Sequence, residues 1–344
     1  MVSSSNMLKE KFSFKDAKTI IDRIKKLKIL LIGDTIIDEY IYVSFLGKPS
    51  KENIISTLYD EKEKFAGGVF AAINNLSSFC ENIDYITVLG NDKNDEKFIL
   101  DNSAKNIKQR IVYRRQYPTT KKTRFVIQGK QLKKLFEIYE MNDELIDANI
   151  ENKILKYLDK NLSNYDLVIV QDYGHGLFTK KIIKKLVDNA TFLAVNAQIN
   201  SGNFGYNIIT KYYGATYYCL DLSEARMAIN SKYEALERIP IMLSEITNGQ
   251  FITVTLGKDG SISYNSNGDL CYSDIQKGKK VVDTMSAGDA YYALSSPVLL
   301  LSQSIQLAAL VGNLAGGIKV GIPGLSDSID KEVFLEELKS HLRK

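Results

Sequence analysis

The sequence predicts an α/β fold, a three-layer α/β/α sandwich around a mainly parallel central sheet, with a small β-lid standing off it. Three observations predict this. Residues 28–33, 85–90 and 166–172 are short runs that are mostly apolar at consecutive positions, as suits strands buried on both faces. They alternate with segments whose apolar residues recur at helical spacing, the pattern of successive βαβ units. Residues 39–64 and 107–140 alternate polar and apolar positions instead, as exposed antiparallel strands do.

Each element follows in order. After a tail, Ser13 and Asp16 open a helix whose Ala17, Ile20, Ile21 and Ile24 fall on one face. The strand 28–33 delivers Asp34, and then Asp38, to its carboxyl end, where open α/β sheets bind ligands. Residues 40–43 and 53–59 form a hairpin with a turn at Gly47, Lys48 and Pro49. Gly67 and Gly68 precede a helix at 69–79, and they serve either close backbone approach to a ligand or a tight helix entry. Strand 85–90 and a helix to about residue 100 follow. Segments 111–115, 122–128 and 135–139 are then expected to join the hairpin as the lid. The β/α alternation resumes with a helix at 149–160, strand 166–172 ending in Asp172, Tyr173, Gly174, His175 and Gly176, helix 179–189 and strand 192–196. Strand 216–220, a helix over 225–229, strand 251–256 and two antiparallel edge strands at 261–264 and 270–273 complete the sheet.

Residues 281–289 are the organising stretch: Val281 and Val282, then small residues, then Asp289 leading into an apolar helical run. This predicts a strand, a turn and a helix entrance. The free amides and dipole of such an entrance suit an anion. Asp289 is there either as an ordinary cap in the first turn or as a proton acceptor. Pro297 should end or kink that helix near Ser296. A small-residue helix at 305–320 and a last helix at 334–342 follow. The expected division is a tail and helix over 1–24, then one domain over 25–344 with the lid inserted as 39–64 and 107–140.

Composition narrows the function classes. With 44% hydrophobic and 25% charged residues, a chain of 344 residues is globular, with a large core. A formal charge of +4, from 45 basic and 41 acidic residues, asks for no nucleic-acid partner. The local run Lys121, Lys122, Arg124, Lys130, Lys133 and Lys134 fits either an anionic substrate or a solvated ribbon face. Cys80, Cys219 and Cys271 lie too far apart for a zinc motif or disulfide framework, which suggests a reducing cytoplasm. No run approaches the roughly 18 apolar residues of a membrane span, so a cytoplasmic protein with no membrane partner is expected.

These motifs, in this order, resemble the PfkB, or ribokinase-like, carbohydrate kinases over most of the chain. The family's D-T-x-G-A-G-D signature matches residues 283–289 at six of seven positions. Gly33 with Asp34 and Asp38, the Pro118, Thr119, Thr120 to Arg124 segment, and Asp172 to Gly176 look most like the heptose-phosphate kinase type. The resemblance implies a ribokinase-like fold and an ATP- and Mg²⁺-dependent kinase acting on a small-molecule sugar or sugar phosphate. Heptose-like precursors of surface polysaccharide are the implied pathway. In that reading Asp289 accepts the proton, and the amides of Ser286, Ala287 and Gly288 hold the γ-phosphate. Asp34, Asp38, Gly67, Gly68, Arg124 and Asp172 bind substrate. Thr255, Gly257, Gly260, Asp283 and Asn313 border the nucleotide, and Glu224 organises the metal through water.

Four positions depart from the family pattern. Ser286 stands for Gly, at a cost of roughly 1 kcal/mol if φ is positive there. Ala71 stands for Asn, Asp221 for Asn, and His175 for Lys. The alternatives are a nucleoside kinase of the same fold, or a degenerate kinase acting as a sugar- or nucleotide-binding regulatory module. Exposed edges of the lid also make a homodimer through it an expectation.

Overall fold

A computed structural model describes residues 12–103, 107–129, 132–274, 281–324 and 327–342. Most of the expected tail, and Lys130 of the basic run, lie outside the described residues. The first helix, α1 (Phe14–Ile24), opens with the expected capping box: Ser13 Oγ accepts the Asp16 amide at 3.2 Å, and Asp16 Oδ2 accepts the Ser13 amide at 3.1 Å.

The large sheet is built from β1 (Lys28–Gly33), β4 (Asn82–Leu89), β5 (Ile107–Tyr113), β8 (Leu167–Asp172), β9 (Leu193–Ala197), β10 (Tyr217–Asp221), β11 (Phe251–Thr255), β12 (Ser261–Asn265) and β13 (Leu270–Ser273). Its order is β13-β12-β11-β10-β9-β8-β1-β4-β5, with every neighbouring pair parallel except β11–β12 and β12–β13, so that β12 alone runs against the rest. The order reverses beside β1, between β8 and β4, the kind of switch point where ligands bind.

Successive strand residues feed opposite layers: Ile29 and Leu31 join one core, Leu30 and Ile32 the other. The first core is covered by α1, α2 (Val69–Ser77), α3 (Lys93–Asp101), α8 (Ala287–Ser302), α9 (Ile305–Lys319) and α10 (Lys331–Leu342). The second is covered by α4 (Ala148–Asn161), α5 (Lys180–Asn189), α6 (Leu222–Ala228) and α7 (Arg238–Thr247). This is the three-layer sandwich.

The lid is a four-stranded sheet, ordered β3-β2-β6-β7, of β2 (Thr35–Gly47), β3 (Ser56–Gly68), β6 (Thr120–Ile127) and β7 (Lys133–Glu140). Its register puts Asp38 beside Lys122 and Tyr40 beside Arg124. Tyr40, Tyr42, Phe65 and Val126 form a small core of their own.

Three expectations are corrected and one helix is added. The 107–113 strand does not belong to the lid: β5 pairs in parallel with β4 at the edge of the large sheet, and its polar positions reflect that exposed edge. Val281 and Val282 are not a strand; the amides of Val282 and Asp283 instead donate to the Val320 carbonyl at 2.8 and 3.2 Å. Helix α8 runs through Pro297 without ending, because residues 290–299 are all buried and packing outweighs the missing amide. There the Ser296 hydroxyl donates to the Tyr292 carbonyl at 2.7 Å. Helix α7 was not expected at all; Pro240 sits in its first turn, where a proline is tolerated.

Candidate active site

The first turn of helix α8 lies beside the carboxyl ends of β8 and β9, and its third residue is Asp289. Ser286 caps the helix with φ 58° and ψ 7°, in the left-handed region, and its buried Oγ has no partner among the described residues. The turn into α8 therefore carries the strain that a glycine would relieve. Among the described residues no protein acceptor takes the amides of Ser286, Ala287 or Gly288, the condition an anion site requires. A Cβ at Gly288 would meet nothing within 4 Å, so the space beside these amides is open.

Three side chains from the sheet's carboxyl edge donate to one oxygen of Asp289. Gln198 Nε2 reaches Oδ1 at 2.9 Å, the Tyr173 hydroxyl at 3.0 Å and Gln171 Nε2 at 3.2 Å. The other oxygen, Oδ2, is left for an incoming donor. Burial pushes the Asp289 carboxyl up to about 6, against the three donors, which hold it down. It is thus ionised at neutral pH yet basic enough to take a proton.

The expected sugar-edge residues divide. Asp38, on β2, is ion-paired with Arg124, which also meets Glu137 at 3.1 Å. A Cβ at Gly67 would sit 2.0 Å from Asp38 Oδ2, so only glycine lets this carboxylate lie across the backbone. Gly68, at φ 62°, would drive a Cβ into the Asp34 carbonyl at 2.2 Å. Asp34 accepts the Tyr173 and His175 amides at 2.9 and 3.4 Å; burial and then the nearby Asp172 push its carboxyl up to about 7. Asp172 turns away from Asp289: it accepts the Tyr212 hydroxyl at 2.6 Å, Lys211 at 2.5 Å and the Gly174 amide at 2.9 Å. Asp34 and Asp172 thereby shape the 172–176 loop, and Asp38 is the carboxylate on the lid's inner face.

Of the residues expected to border the nucleotide, Asp283 is a junction. It accepts Tyr40 of β2 at 2.9 Å, Lys134 of β7 at 3.2 Å, and the Met285 and Gly324 amides at 3.1 Å each, tying lid to loop. Asn313 donates to Ser261 Oγ and the Ser273 carbonyl at 3.2 and 2.8 Å, fastening α9 to the antiparallel strands. Thr255 ends β11, and Gly257 at φ 60° has open space around it. Gly260 is there because a Cβ would meet the Ser273 carbonyl at 2.0 Å.

Glu224 closes a capping box on α6: its oxygens accept the Ile199 and Asp221 amides at 3.0 Å each. Burial, with Asp221 beside it, pushes it up to about 7. Among the described residues no three His, Cys, Asp or Glu cluster as a metal cage. The buried Asn196 Oδ1, on the adjoining strand β9, lacks a partner among the described residues. This sparse oxygen set suits Mg²⁺, which keeps several waters and takes few protein ligands.

Gln171, Tyr173 and Gln198 were not expected at the site, and Lys122 was named only in the basic run that fits an anionic substrate or a solvated ribbon face. The signal for Gln171 was a fully buried amide at the end of an apolar strand. Lys122 is buried over the rings of Tyr139 and Tyr173, at 5.1 and 5.8 Å. Near it His175 is buried, neither ring nitrogen has a partner among the described residues, and burial, then Lys122, depress it to about 3.

A family model described as pfkB family carbohydrate kinase matches residues 26–332. The chain is 26% identical over 328 residues to the bifunctional protein HldE of a Nitratiruptor species, covering 93% of this chain and 66% of that one. It is 27% identical over 325 residues to the HldE of Aliarcobacter butzleri, covering 92% and 66%. It thus spans just under two thirds of the length of these relatives. Among solved structures, it is similar to phosphofructokinase-2 from Escherichia coli in complex with substrates and products, with TM-score 0.71, 12% identity, and 92% and 100% of the two chains covered. Ribokinase from Thermotoga maritima gives TM-score 0.65 at 18% identity, covering 92% and 100%. At these identities the structural likeness is one of fold.

Proposed function

The chain belongs to the pfkB family of carbohydrate kinases, and on that premise we propose that it transfers the γ-phosphoryl group of ATP to a hydroxyl of a sugar or sugar phosphate. The observation that carries this reading is Asp289, held at one oxygen by three donors beside a row of free helix-entrance amides. Phosphoryl transfer needs positioning and charge stabilisation more than covalent chemistry.

The attacking hydroxyl gives its proton to Asp289 Oδ2 as its oxygen bonds to the γ-phosphorus, and the bond to the β-phosphate oxygen breaks to release ADP. Oriented by Gln171, Tyr173 and Gln198, the carboxylate meets the hydroxyl without rotating. The amides of Ser286, Ala287 and Gly288 stabilise charge on the γ-phosphoryl oxygens. Asp38 and Arg124 with Gly67 and Gly68 line the sugar side; Asp34 and Asp172 support its loop. Thr255, Gly257, Gly260 and Asn313 border the nucleotide, with Asp283 joining this edge to the lid. Bound Mg²⁺, held mainly by water and phosphate oxygens near Glu224, would supply charge neutralisation of the phosphates.

Within this class we favour a heptose-like sugar of surface-polysaccharide synthesis, supported by the lid segment ending at Arg124 and the loop from Asp172 to Gly176. The lid's outer face carries exposed Phe136 and Ile138, which supports a homodimer closed through the lids. The test is transfer of labelled phosphate from ATP across a panel of sugars, sugar phosphates and nucleosides. Label in a sugar supports the reading; label in a nucleoside alone, or in none, defeats it.

A further inference from the structure

A cavity of about 680 Å³ lies away from Asp289, between the segments that join the lid to the large sheet. One wall is the loop from Arg114 to Tyr117, which leads from β5 towards β6; the other includes Glu144, Leu145 and Asp147, which lead from β7 into α4. Its volume is within the usual range for small-molecule sites.

The cavity is lined by three cations, Arg114, Arg115 and Lys153, against two carboxylates, Glu144 and Asp147. Arg114 is only 9% exposed, and no carboxylate pairs with it among the described residues. Its guanidinium stacks on the Tyr117 ring at 4.4 Å and reaches across to the Asn142 and Leu145 carbonyls at 3.4 and 3.2 Å. Among the described residues its other N–H groups have no acceptor. A buried cation with no direct ion pair is costly, and an anionic ligand that pairs with it lowers the cost. Arg115 and Lys153 line the same cavity, exposed and without a partner among the described residues. The two carboxylates present are engaged: Glu144 accepts the Tyr117 hydroxyl at 3.0 Å, and Asp147 caps α4.

We propose that this hinge cavity is a second small-molecule site, which takes a phosphate monoester with its phosphate against Arg114, Arg115 and Lys153. A guanidinium fork suits phosphate oxygens in pairs, and Ile111, Leu145 and Ile150 give the organic part an apolar wall. Arg114 already ties one lid connection to the other, so a ligand there alters how the lid closes. Sugar affinity is thereby coupled to the concentration of a phosphorylated metabolite.

The test is calorimetric titration of the full chain, without nucleotide, with glucose 6-phosphate, using glucose and gluconate as controls. Wild type is expected to bind the phosphate ester with a Kd below about 1 mM, and the exposed pair Arg115→Ala and Lys153→Ala to weaken this at least tenfold. Sugar KM should shift on saturation with the ester in wild type and stay fixed in the double variant. Equal affinity in the two proteins would overturn the proposal, as would gluconate binding as tightly as the ester. A sugar KM that does not move would overturn the coupling to the lid. Because the titration needs no turnover, it separates this site from the kinase reading.

Discussion

The Tyr173 hydroxyl donates to Asp289 Oδ1 at 3.0 Å, while the backbone amide of the same residue donates to Asp34 at 2.9 Å. One residue thus joins the proposed proton acceptor to a carboxylate that shapes the 172–176 loop.

A pH profile reads the link directly. Asp289, pushed up to about 6 by burial, must be ionised to accept a proton, so kcat/KM should fall as pH drops below about 6. Donors to a carboxylate favour its ionised form. Tyr173→Phe removes one and should therefore move the acid limb to higher pH. An unchanged limb would mean that Tyr173 does not tune the base.

Gly67→Ala places a methyl where the Asp38 carboxylate lies, 2.0 Å from Oδ2. The expected result is a sugar KM raised roughly 10- to 100-fold by displacement of Asp38 and its partner Arg124, with the KM for ATP little changed. Steady-state kinetics in both substrates checks it. A parallel rise in both KM values would point to general disruption instead.

Ser286→Gly should stabilise the protein. The residue sits at φ 58° with a buried, unpartnered hydroxyl, and relief of the left-handed penalty is worth about 1 kcal/mol. In a chain of this size that is on the order of 2 °C in Tm by differential scanning calorimetry. Because the amide at 286 is retained, turnover should stay within a few-fold. A lower Tm would show that Ser286 makes a contribution which glycine lacks.

Much of the sheet was legible because strands such as β1 and β8 are apolar on both faces, and only a buried parallel sheet accommodates that. The lid's boundary was less legible. An edge strand of a parallel sheet and a lid strand both show alternating polarity, so β5 could not be assigned from its pattern. Helix α8 passed through Pro297 because its burial, a long-range property, outweighs a local rule. The motif residues Asp289, Asp38 and Gly67 stand out in sequence. The donor Gln171 lies on β8 and Gln198 just past the end of β9, and only the order of β8 and β9 in the sheet sets them beside Asp289.

The central claim is that Asp289 takes the proton of the acceptor hydroxyl. It is tested most directly by single-turnover transfer of labelled γ-phosphate from ATP to the accepting sugar, in wild type and Asp289→Asn. We expect the variant to bind ATP within about twofold of wild type and to transfer label roughly 10²- to 10⁴-fold more slowly. Transfer at the wild-type rate would contradict the account.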